Sequence, residues 1–174
     1  MRGVLDGSDG KPVLFVGSDA DDEEAQKKGY YILSACKDGP YGHRKALGYT
    51  TLGAPKGPNY LHVARGKRMV LNLLDLDDPA YISEEVIFPG LRFINKHLKA
   101  GEKVLIHCNA GKSRGPSMAL MFLRTVGELP DNFRTAEKMF KALYPPYEPN
   151  EGITIFARRH WHQLKELYAR NASR

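Results

Sequence analysis

Short wholly apolar runs alternate along this chain with longer stretches whose apolar residues recur at helical spacing. PVLFVG (12–17) reads as a buried strand, and SDADDEEAQKKG after it as a helix, with acids in its first turn, lysines in its last and glycine as the stop. YYILSA (30–35) and RMVLNLLDL (68–76) are further strand candidates. Ile82, Val86, Leu91, Ile94 and Leu98 recur at near-helical spacing up to Gly101, with Pro89 a site for a kink or break. KVLIHC (103–108) is a continuous apolar run of the kind found in a sheet covered on both faces. SMALMFLRTVG predicts a buried helix, FRTAEKMFKAL an amphipathic one, and ITIFARRHWHQLKELYAR a last helix after the turn YPPYEPNEG. Residues 36–60, rich in glycine and proline, predict loops with at most one short element. The alternation indicates an α/β fold with a central, mostly parallel sheet flanked by helices.

A length of 174 residues with 42% hydrophobic content suits a single domain spanning 1–174. No apolar run is long enough for a membrane span and no secretory signal opens the chain, so a cytoplasmic location is expected. Cys36 and Cys108 are too few for a disulfide scaffold, and each needs its own explanation. The net charge of +6 favours anionic ligands, with basic groups at 43–45, 65–68 and 157–160. His160 and His162 lie two apart on a helix and face different ways, so they do not form a metal pair.

The chemistry concentrates in HCNAGKSRG (107–115). Its Gly-Lys-Ser ending is not a nucleotide loop, because the required glycine five residues before Gly111 is Ile106, inside the strand. What remains is Cys108, five intervening residues and Arg114, set where a buried strand turns into a helix. Backbone N–H groups in such a turn converge on a tetrahedral anion, and the helix N-terminus adds positive potential. The same surroundings lower a thiol's pKa from about 8.5 to roughly 3.5–7.5, which makes cysteine a nucleophile. Arg114 offers a planar fork for two phosphate oxygens. Asn109, Ala110, Gly111, Lys112 and Ser113 complete the cradle, Gly111 letting it curl and Lys112 adding charge at the rim. Ser113 reads either as a partner of the thiolate or the loop, or as an ordinary helix cap.

These residues resemble the cysteine-dependent protein phosphatases, specifically the compact dual-specificity group, whose signature is His-Cys-x-x-Gly-x-x-Arg. His107, Cys108, Gly111 and Arg114 match it, and the resemblance extends from LFVGSDADD to the last helix while staying weak through 36–66. It implies hydrolysis of phosphate monoesters through a phosphocysteine, with no metal or cofactor. It implies an acid about thirty residues ahead of the nucleophile. Asp77, 31 residues before Cys108, fits that spacing best among Asp75, Asp77 and Asp78, with Asp78 the second choice. It further implies that His107 orients the loop and that Asn150 supports it. Gly115 departs from the pattern, since a hydroxyl residue usually follows the arginine; slow breakdown of the phosphoenzyme is expected unless Ser113 or Ser117 substitutes. Cys36 reads as structural, with a resolving-thiol role the alternative, and Tyr144 and Tyr147 as entrance or packing residues.

Phosphotyrosine and phosphoserine or phosphothreonine proteins are the expected substrates. Phosphoinositides and RNA 5'-triphosphates are alternatives raised by the basic groups. A catalytically weak phosphosite-binding module is the alternative from a different class.

Overall fold

The computed structural model describes residues 1–167. Its six strands are β1 (Arg2–Asp6), β2 (Pro12–Gly17), β3 (Tyr31–Ser34), β4 (His62–Arg65), β5 (Arg68–Leu71) and β6 (Val104–His107). They form one sheet in the order β1-β2-β6-β3-β5-β4. The pairings β2–β6, β6–β3 and β3–β5 are parallel, while β1 and β4 close the two edges antiparallel. The helices are α1 (Asp22–Lys27), α2 (His43–Leu47), α3 (Glu84–Lys99), α4 (Arg114–Thr125), α5 (Phe133–Leu143), α6 (Glu151–Arg159) and α7 (Trp161–Glu166). The expected mostly parallel α/β sheet is therefore the one observed.

The fully buried run of β6 marks its central place, because both its faces are covered. Leu105 packs with Ile32 and Ala25 on the α1 face, whereas Val104, Ile106 and Leu33 join the larger core with α3 and α4. The period of two along β6 thus sends His107 to the same face as Leu105. Helix α4 is buried along its whole length, as its unbroken apolar run requires. Gly90 lets α3 approach it, since a Cβ there would stand 2.7 Å from the Met118 methyl. β2, β3 and β6 all end at the same edge of the sheet, and the loops that follow them gather there, the usual place for a ligand crevice in an open α/β sheet.

Several elements differ from the sequence expectation. β1 carries no strong signal of its own and exists as a hairpin partner of β2. α2 is the one short element within 36–60, and β4 follows just beyond it. β5 stops at Leu71, after which residues 72–78 run without regular structure towards the crevice. Pro89 lies inside an uninterrupted α3. The last helix divides at His160 into α6 and α7, and its expected end at 168–170 lies outside the described residues. Among the described residues no helix is long and apolar enough to cross a membrane.

Candidate active site

The loop from Cys108 to Ser113 joins the C-terminal end of β6 to the first turn of α4. Gly111 makes that curl possible: its φ of 66° is left-handed, and a Cβ would stand 2.8 Å from the Gly17 carbonyl oxygen. The loop forms one wall of an open cavity of about 480 Å³ lined by Asp75, Cys108, Asn109, Ala110, Lys112, Ser113, Arg114, Glu148, Pro149 and Asn150. Three separate stretches of chain meet there.

Arg114 is held rather than free. One terminal nitrogen donates to the Leu73 carbonyl at 3.2 Å and the other to Asn109 Oδ1 at 3.3 Å. Its buried Nε makes no hydrogen bond, and Asp75 Oδ2 lies 3.5 Å away. A guanidinium fixed at the cavity with donor capacity to spare suits an oxyanion ligand.

The acids after β5 go to three different places. Asp75 lines the cavity, accepting a hydrogen bond from Asn150 Nδ2 at 2.5 Å. Asp77 does not line it; its carboxylate accepts from the Glu151 N–H at 3.4 Å, at the N-terminus of α6. Asp78 caps the short turn Pro79–Tyr81 through the Ala80 N–H at 2.9 Å. The arrangement depends on Gly152, where a Cβ would meet the Leu76 carbonyl oxygen at 2.2 Å. Helix α6 is thereby pressed directly onto the acid-bearing segment.

Asn150 connects these parts. Its side-chain oxygen caps α6 through the Ile153 N–H, its amide reaches Asp75, and its backbone N–H donates to Ser113 Oγ at 3.1 Å. Ser113 thus ties the Cys108–Ser113 loop to residues 148–150. Lys112 is bound to the same stretch, its carbonyl accepting from the Glu148 N–H and its ammonium 3.3 Å from the Glu148 carboxylate. The Tyr144 hydroxyl donates to the Gly111 carbonyl at 2.8 Å, and burial pushes its pKa up to about 12. Tyr147 is buried too, its phenol pushed up by burial and lying against Ser117. Tyr144 thus supports the loop, while Tyr147 packs edge-on against Phe140 at 5.1 Å. Cys36 is buried beside Ser34, and burial raises its thiol pKa.

Two features had no motif to announce them. Gly39 backs onto Asn109, so the segment after β3 supports the loop; a Cβ there would stand 2.4 Å from the Asn109 amide nitrogen. Asp22, fully buried at the start of α1, lies 2.8 Å from His107 Nε2. Its one sequence cue was membership of the acidic run at 19–24.

No family model matches the sequence, and no curated protein does. Solved structures match over nearly the whole chain. The crystal structure of DUSP15 is similar at a TM-score of 0.68 and 20% identity, covering 100% of this chain and 96% of the other. This is the dual-specificity phosphatase fold. The Yvh1 phosphatase domain from Chaetomium thermophilum matches at TM-score 0.61 and 20% identity over 93% of this chain and 95% of its own. The human tyrosine phosphatase-like serine/threonine/tyrosine-interacting protein shares the fold at TM-score 0.56 and 21% identity, over 92% and 93% of the two chains. At these identities the dual-specificity likeness is one of fold.

Proposed function

We propose that this protein hydrolyses phosphate monoesters on protein side chains through a phosphocysteine formed on Cys108. The observation that carries the reading is that the Cys108 loop, the Arg114 fork and the Asp75 carboxylate border one open cavity. The Cys108 thiolate attacks phosphorus while Arg114 and the loop N–H groups bind the equatorial oxygens, whose charge they stabilise. The leaving alkoxide or phenoxide takes a proton from a carboxylic acid. Asp75 is the acid that geometry favours, because it faces the cavity while Asp77 serves the end of α6. In the second step the same carboxylate takes a proton from water as the water oxygen attacks phosphorus, releasing inorganic phosphate and the thiolate.

The Glu148 and Asp75 carboxylates at the rim, with Lys112 already paired to Glu148, favour a phosphoprotein over a polyphosphorylated lipid or an RNA 5'-triphosphate. Like charges at the rim oppose further phosphates on the ligand. Hydrolysis of an aryl phosphate without added metal, lost in Cys108→Ser, tests the proposal. A Cys108→Ser protein as active as wild type refutes it, and a wild type that binds phosphopeptides without turnover supports the binding-module alternative instead.

A further inference from the structure

Resting on the phosphatase reading, we propose that Asp22 is a positioning residue for Cys108, acting through His107: it fixes the imidazole behind the nucleophile in the form that supports a thiolate. His107 and Asp22 are both fully buried, and Asp22 Oδ2 lies 2.8 Å from His107 Nε2. A carboxylate only accepts, so Nε2 carries a proton. The other ring nitrogen, Nδ1, lies 3.3 Å from the Cys108 carbonyl oxygen, also solely an acceptor. Both contacts are satisfied together by the imidazolium.

Asp22 cannot swing away. Arg68 donates to both its oxygens, each at 2.6 Å, and Gln26 donates to Oδ1 at 2.6 Å. Burial alone would raise its carboxyl, but the hydrogen bonds from His107, Arg68 and Gln26 outweigh that and hold it well below the ordinary carboxylate range. Arg68 in turn stacks over Tyr41 at 5.2 Å, and the Tyr41 ring meets His107 edge-on at 6.0 Å. The groups facing His107 are therefore Asp22 and Asp21 from α1 and the turn before it, Arg68 from β5, Tyr41 from the segment after β3, and Cys108 itself. Asp21 is occupied by the N-terminal ammonium of Met1 and the Ser18 N–H. Arg68, Asp22 and a protonated His107 together leave one net positive charge in the cluster that meets the Cys108 backbone, and net positive charge near a thiol favours the thiolate.

Two measurements on the full chain test this. Nitrogen-15 NMR of wild type, with His107 assigned by loss of its signals in His107→Asn, should show both ring nitrogens protonated between pH 6 and 7; an unprotonated Nε2 overturns the proposal whether or not any variant folds. The pH dependence of Cys108 alkylation by iodoacetamide, with Cys108→Ser giving the background, should move upward by about one unit in Asp22→Asn, a roughly tenfold slower reaction below the midpoint. In a His107→Asn background the same substitution should add nothing. A folded Asp22→Asn protein with an unmoved midpoint overturns the proposal. Alkylation needs no turnover, so a protein that shows the shift but hydrolyses no phosphate ester refutes the catalytic reading and leaves this one standing.

Discussion

Asp75→Asn and Asp77→Asn should separate chemistry from architecture within a span of three residues. Asparagine at 75 keeps the shape of the side chain and an oxygen for Asn150 Nδ2, so that contact survives while the transferable proton and the negative charge 3.5 Å from Arg114 Nε are lost. General acid catalysis contributes about 10²–10⁴ in rate, equivalent to roughly 2.7–5.5 kcal/mol of barrier, and kcat should fall within that range for a leaving group of high pKa. For p-nitrophenyl phosphate, whose leaving group needs little protonation, the loss should be much smaller. Asp77 makes one long contact to the Glu151 N–H at an exposed helix end. Neutralising a carboxylate there costs about 0.3–1 kcal/mol of stability, or roughly 1–4 °C in Tm, with kcat nearly unchanged. Steady-state kinetics on a series of aryl phosphates and thermal melts of the two variants check both halves. Loss of the acid-dependent rate in Asp77→Asn, with Asp75→Asn behaving as wild type, would refute the assignment and show that the segment takes another register when substrate binds.

Gly111→Ala should lose about 2 kcal/mol or more, from the left-handed backbone and the crowding against Gly17; urea midpoints within error of wild type would contradict this. Gly115→Ser, which restores the hydroxyl common after the arginine, should lower Tm, because a Cβ there meets the His107 carbonyl carbon at 2.9 Å and the Cys108 nitrogen at 3.0 Å. An unchanged Tm with faster turnover would show that the backbone yields. With glycine in place, rapid-quench kinetics should show a burst of product before a slower steady state, and a linear time course would contradict the slow second step. Asp22 is depressed in the folded state relative to about 3.9 unfolded, so its stabilisation is complete above that value and is lost as pH falls below it. Urea midpoints of wild type should therefore fall more steeply between about pH 4 and 2 than those of Asp22→Asn, and parallel slopes would exclude the linkage.

The sequence by itself determined whatever depends on neighbours along the chain. The apolar runs at 12–17, 30–35 and 103–108 specify strands because burial on both faces leaves no polar period. The curl of the 108–114 loop is legible because its cysteine, its glycine and its arginine fall within one seven-residue stretch. The element α5 coincides with the amphipathic stretch at 133–143, whose pattern needs no partner to be read. The tertiary structure decided what depends on pieces meeting from afar. Three carboxylates within four residues look alike to a count of spacing, and the approach of α6 through Gly152 is what turns Asp77 to a helix end and leaves Asp75 to the cavity. Residues 36–60 carry no periodicity because single contacts hold them, such as the Lys37 ammonium on the Leu52 carbonyl and the buried His43 on the Asn59 carbonyl. Asp22 is one acid of a run until folding buries it against a histidine 85 residues away, and a carboxylate acquires a role there only when its hydration is replaced by named donors.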